Sequence, residues 1–219
     1  MLKHRISLYQ ETRLNRTLGT NFSIAAKYQI GILDRLMIRT GLSYNLSLNF
    51  INAYLLELGI ERMFNLPFYI SLSFLNDRYK QYNRSFNSII PKLGVSGTLF
   101  VFEIGVNFRY WNSDDGQLWN VFHYGTGLWE TILVYRLGCR LSFWDGRYTF
   151  CIEINNRDTM FAGNLGNWGL FIRNRLSPGT TVGAMWSFFL DIAARSSGGI
   201  AMSSTYYTLQ YQAGIELSL

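Results

Sequence analysis

The residues with the most chemistry to offer are charged and share one stripe. Lys3, Arg5, Arg13, Lys27, Arg39, Lys92, Arg109, Arg136, Arg140, Arg173 and Arg175 fall on the polar phase of an apolar–polar alternation, as do Glu11, Glu57, Glu61, Glu103, Glu153, Asp191 and Glu216. In an extended chain such residues point to one side and their apolar neighbours to the other. Basic groups outnumber acidic ones, eleven to seven, on that stripe. Arg136, Arg140, Arg173 and Arg175 come from stretches close in sequence, with Glu153 between them. Gathered round a water-filled space, they would attract anions, as charged rings do in pores. Paired as Arg–Glu, they would instead cross-link that space and partly fill it. Lys27, Arg39, Glu57, Glu61, Arg109, Arg136, Arg140, Glu153, Arg173 and Arg175 are the expected lining residues.

Other chemistry finds less support. His123-Tyr124-Gly125-Thr126-Gly127 resembles the His-x-Ser-x-Gly motif of the outer-membrane phospholipase family. That resemblance implies lipid hydrolysis, but Gly125 occupies the nucleophile position, so the attacking hydroxyl is missing. No catalytic residue is assigned. His4, the other histidine, reads as a residue of the rim. No Cys, His or Asp cluster has metal-ligand spacing, and no glycine-rich loop follows the strand–helix pattern of a phosphate cradle, so neither metal nor cofactor is expected. Cys139 and Cys151 do not make a disulfide framework. The net charge of +6 is spread along the chain rather than concentrated, which argues against a nucleic-acid partner.

Positioning this stripe requires long strands. Leu36 to Phe50 alternates over fifteen residues, with Leu42, Tyr44 and Leu46 on one face and Arg39, Ser43, Asn45 and Asn49 on the other. Strands of soluble proteins run to about five or six residues, whereas a tilted bilayer-crossing strand needs roughly nine to eleven. Similar patterns run from Leu2 to Leu14 and Asn21 to Ile32. Others follow around Leu56, Phe68, Leu93, Phe102, Leu133, Tyr148, Trp168, Val182 and Tyr207. Short turns are expected at Leu33–Arg35, Ile51–Ala53, Asn65–Pro67, Val101–Phe102, Asp145–Gly146 and Ser177–Gly179. Longer loops are expected at Asn15–Gly19, Asn76–Ser88, Asn112–Thr126, Asn156–Gly166 and Arg195–Ser203. Asp145-Gly146 is the strongest hairpin signal. It sets Phe143 opposite Tyr148, Leu141 opposite Phe150, Arg140 opposite Cys151 and Cys139 opposite Ile152. The two cysteines then face opposite sides and should not bond.

About twelve strands and no helix make a single domain over 1–219: a closed antiparallel up-and-down transmembrane β-barrel, with ten or fourteen strands as alternatives. Twelve strands are too many for side chains to fill the interior, since about eight suffice for that. Composition agrees: 16% charged residues, 16 Phe, 14 Tyr, 6 Trp and 20 Gly do not describe a well-solvated surface. The aliphatic face is nearly free of charge, as lipid demands. Arg62 is the exception, placed where it can snorkel. Tyr28, Tyr44, Phe50, Tyr54, Phe68, Trp144, Tyr148, Trp168 and Tyr207 suit interfacial girdles. Hydrocarbon leaves no unpaired backbone, so the first and last strands should pair.

The ending Tyr211-Gln212-Ala213-Gly214-Ile215-Glu216-Leu217-Ser218-Leu219 resembles the C-terminal strand of bacterial outer-membrane β-barrel proteins, though with Leu rather than the usual Phe at its end. The resemblance implies the outer membrane of a diderm bacterium, membrane lipid with a lipopolysaccharide-type outer leaflet, and recognition of Tyr211 to Leu219 by insertion machinery. No signal peptide is read at the start, so a mature form is expected. The expected function is a small passive, porin-like channel with mild anion preference. A non-conducting surface barrel and a lipid-modifying enzyme are the alternatives, and a soluble lipocalin-like barrel stands behind them.

Overall fold

The structure, a computed structural model, describes residues 2–15, 19–32, 35–47, 50–63, 66–79, 84–113, 129–156, 169–181, 184–196 and 207–219. Alternation of apolar and polar residues makes every element extended. The strands are β1 (Leu2–Asn15), β2 (Gly19–Ile32), β3 (Leu36–Asn45), β4 (Phe50–Met63), β5 (Phe68–Tyr79), β6 (Arg84–Ser96), β7 (Phe100–Ser113), β8 (Trp129–Phe143), β9 (Tyr148–Asn155), β10 (Gly169–Thr181), β11 (Ala184–Ser196) and β12 (Tyr207–Ser218). Each pairs antiparallel with its sequence neighbours, and β1 pairs with β12, so the sheet closes as a twelve-stranded barrel. Closure removes the sheet edge that lipid could not satisfy.

The outward face is apolar. Leu56, Leu58, Ile60, Leu93, Ile104, Leu133, Leu137 and Leu141 are all exposed on it. A continuous apolar wall of this size is incompatible with a water-facing surface. It is the wall that a bilayer requires. Aromatic residues concentrate towards its rims. Tyr110 meets Trp129 at 5.1 Å on one side, and Trp144 meets Tyr148 at 5.7 Å on the other. The connections after β2, β4, β6, β8 and β10 are short and lie at the end of the barrel that also holds the start of β1 and the end of β12.

The β8–β9 hairpin has the expected register throughout: Phe143 opposite Tyr148, Leu141 opposite Phe150, Arg140 opposite Cys151 and Gly138 opposite Glu153. Asp145 and Gly146 adopt φ of 55° and 83°, the left-handed values that a type I′ turn demands. Arg147 N donates to Trp144 O at 3.1 Å to close the turn. Cys139 is exposed, Cys151 is buried, and both are free.

Several boundaries differ from expectation. Leu36 to Phe50 is not one strand: β3 ends at Asn45, Leu46 and Ser47 turn, and Phe50 opens β4. The expected reversal at Ile51–Ala53 is therefore strand. Asn45, Ser47 and Asn49 happen to alternate with leucines, but they are turn formers, and turn chemistry prevails over the period. The Ser47 hydroxyl accepts a hydrogen bond from Phe22 N at 3.1 Å. The Val101–Phe102 turn lies earlier, at Gly97 to Leu99, where Gly97 N donates to Phe100 O at 2.9 Å. Strand replaces much of the expected Asn76–Ser88 loop, with Asn76 and Asn87 bonded side chain to side chain at 2.7 Å. Ser177-Pro178-Gly179 does not end β10. It is a bulge between Leu176 and Gly179, a position where a sheet tolerates proline. A second bulge, between Ile60 and Met63, holds Arg62 at φ 51°. Leu33, Asp34 and Asn65, the bodies of the three longest loops, and Trp168 and Val182 lie outside the described residues, as do the side chains of Arg13, Phe50 and Tyr207.

Candidate functional site: the charged lumen

Inward-pointing side chains of the short-turn half surround a cavity of about 670 Å³. Its charged lining is Arg5, Lys27, Arg39, Arg136, Arg140, Arg173 and Arg175 against Glu57, Glu153, Asp191 and Glu216, seven basic to four acidic. Eight of the ten expected lining residues are therefore brought together. Arg109 is buried but does not border the cavity. Glu61 is exposed next to the β4 bulge at the short-turn rim, which carries it out of the lining.

The charges form three groups. On one wall Glu57 receives Arg39 Nη1 at 2.7 Å and Lys92 Nζ at 2.6 Å. The Lys92 side chain is fully buried, and Glu57 balances it. Across the lumen, Glu153 binds Arg136 in a two-pronged pair and Arg173 Nε at 3.1 Å. Arg173 also lies 3.9 Å from Asp191. At the seam, Glu216 of β12 takes Arg175 at 3.0 Å and Arg5 at 3.4 Å, with Ser7 donating at 3.1 Å. Arg140 stands apart: it donates to the Gly97 carbonyl at 3.4 Å and has no carboxylate partner among the described residues. Glu57, Glu153 and Glu216 thus each hold two bases, Asp191 shares Arg173 with Glu153, and positive charge remains facing the cavity.

The loop-side half is built differently. Tyr9, Ala25, Ala53, Leu55, Leu75, Ile90 and Val134 all point inward, form one cluster and are at most 5% exposed. Phe189 packs against them. Tyr9, Leu55 and Phe189 also border the cavity, so they mark where the polar space meets an apolar layer. The polar phase of the strands predicts a polar interior, and this layer departs from it. Its signal was the apolar doublet: Leu8-Tyr9, Leu55-Leu56, Phe74-Leu75, Ile89-Ile90, Leu133-Val134 and Phe188-Phe189 are apolar on both strand faces. His123 and the motif around it lie outside the described residues.

A closed twelve-stranded antiparallel barrel with an apolar exterior and a charged lumen is the fold of a transmembrane β-barrel. No family model and no curated protein sequence matches the chain. Solved structures do. The KdgM porin, in complex with disordered oligogalacturonate, is similar with a TM-score of 0.57 at 8% identity, over 96% of this chain and 97% of its own. The NanC porin is similar with a TM-score of 0.50 at 13% identity, over 96% and 98%. An outer-membrane channel from Pseudomonas putida F1 is similar with a TM-score of 0.51 at 7% identity, over 99% and 94%. At such identities the likeness is one of fold.

Proposed function

We propose that the protein is a passive channel of the diderm outer membrane for small polar and anionic solutes, and not an enzyme. The observation that carries this is the lining of the 670 Å³ cavity, seven basic residues against four acidic. Positive lining lowers the barrier for anions and raises it for cations. The similar barrels described as porins favour the same reading, and the KdgM structure holds an oligogalacturonate, a polyanion. In this reading the short-turn end faces the periplasm, since outer-membrane barrels keep their short turns there. The apolar wall contacts lipid and a lipopolysaccharide-type leaflet, and Tyr211 to Leu219 serves as the segment that the insertion machinery reads.

The test is electrical. Folded protein in planar bilayers under a KCl gradient should give discrete conductance with a reversal potential of anion-selective sign. Cation selectivity would overturn the anion preference. Silence from correctly folded protein, together with unswollen liposomes, would favour the second reading, a non-conducting barrel. The near-complete burial of Ile90 and Val134 inside the lumen is what speaks for that alternative.

A further inference from the structure

Seven inward residues on β1, β2, β4, β5, β6 and β8 are packed out of solvent across the middle of the lumen. Apart from the Tyr9 hydroxyl these side chains offer water no hydrogen-bonding group, so the layer is an apolar constriction that hydrated solutes cross at a cost. One sector of it differs. Ser71 Oγ, Ser73 Oγ and both amide atoms of Asn107 are buried, and none has a hydrogen-bond partner among the described residues. Buried polar groups are almost always satisfied by protein or by water, so this is the sector of the layer with hydrogen-bonding capacity to offer water.

Their placement is ordered. Ser71 lies opposite Lys92, and Lys92 opposite Gly105. One row further from the short turns, Ser73 lies opposite Ile90, and the register that pairs Ile89 with Phe108 sets Ile90 beside Asn107. One row further again, Ser88 lies opposite Arg109. Polar side chains therefore climb the β5–β7 wall from Lys92, bonded to Glu57 at the cavity edge, to Arg109 beyond the apolar layer. No comparable run of unsatisfied polar atoms exists elsewhere among the described residues.

We propose that water and small solutes cross the apolar layer along the β5–β7 wall, over Ser73 and Asn107. This rests on the channel reading and adds to it the route through the narrowest part. Two measurements on the full-length protein test it. In planar bilayers, Asn107→Leu and Ser73→Val should each lower single-channel conductance to about half or less, because a dewetted constriction blocks hydrated ions. Phe108→Leu, whose side chain faces lipid, should leave conductance unchanged. In a Cys139→Ser, Cys151→Ser background, Ser73→Cys should react with a membrane-impermeant methanethiosulfonate. Wild-type conductance left unaltered by Asn107→Leu and Ser73→Val would overturn the route while sparing the channel. A silent wild-type barrel would overturn the channel reading. An unreactive Ser73→Cys in folded protein would overturn the route by itself.

Discussion

Tyr9 and Phe189 meet edge to face inside the barrel, ring centres 5.8 Å apart, although they stand on β1 and β11 with β12 between them. Gly214 allows it. Gly214 lies opposite both Tyr9 and Phe189, and a Cβ there would stand 2.4 Å from Tyr9 Cβ and from Leu8 O, and 2.7 Å from the Phe189 ring. Two of these three clashes involve atoms close to or in the backbone, so rotamer changes cannot relieve them. Gly214→Ala should therefore destabilise the barrel by about 1–3 kcal/mol. Urea unfolding in detergent micelles, followed by tryptophan fluorescence, measures the loss.

Glu153 joins Arg136 of β8 to Arg173 of β10. Removing its charge strips Arg136 of its ion-pair partner and leaves Arg173 only the longer contact with Asp191, at 3.9 Å. Breaking a buried pair costs about 3–5 kcal/mol, and water reaching the partly exposed arginines places Glu153→Gln at or below the lower end. The same substitution adds one net positive charge to the lumen. Lower unfolding resistance and a reversal potential shifted further towards anion selectivity should appear together.

Arg175 and Arg5 share Glu216, and Arg140 has no carboxylate partner among the described residues. Arg140→Gln should thus reduce anion preference with little effect on stability, since no partner is stranded. Arg175→Gln should change selectivity less, because Arg5 remains on Glu216. Reversal potentials of the two variants, compared under one KCl gradient, decide the order.

Leu137 is 58% exposed, and its strand partners Phe102 and Ile154 also face outward. Leu137→Arg puts a charge into hydrocarbon. The expected destabilisation is about 2–4 kcal/mol near the midplane, readable as a shift in the urea midpoint of folding into vesicles. Ser142→Arg, on the same strand but facing the cavity, should be tolerated.

Much of the architecture was legible because lipid enforces a strict period of two. The β8–β9 register could be read residue by residue, since Asp145-Gly146 fixed the turn and both faces had to match at once. Errors arose where the period carried no information about direction. Around Leu46 the turn residues alternate as a strand does. At Ser177-Pro178-Gly179 the residues of a turn serve a bulge instead. The lumen was legible in kind but not in depth. Parity placed Arg39, Arg136 and Arg173 inside, but it could not show that Glu61 leaves the lining near a bulge. Nor could it show that Leu55, Ile90 and Val134 turn inward to meet each other. That layer depends on which apolar member of each doublet the barrel encloses, and contacts between distant strands decide it.

The seam between β1 and β12 carries a kinetic consequence. Ser7 bonds Glu216 across 209 residues of sequence, and eleven residue pairs zip the two strands together. Every other strand pairing joins sequence neighbours and can form as soon as a hairpin is present. The seam alone carries the loop-closure entropy of nearly the whole chain. Until it zips, β1 and β12 are both open sheet edges, which hydrocarbon does not tolerate. Assembly of this barrel therefore has a single late, non-local commitment step, the one at which these two distant edges find each other.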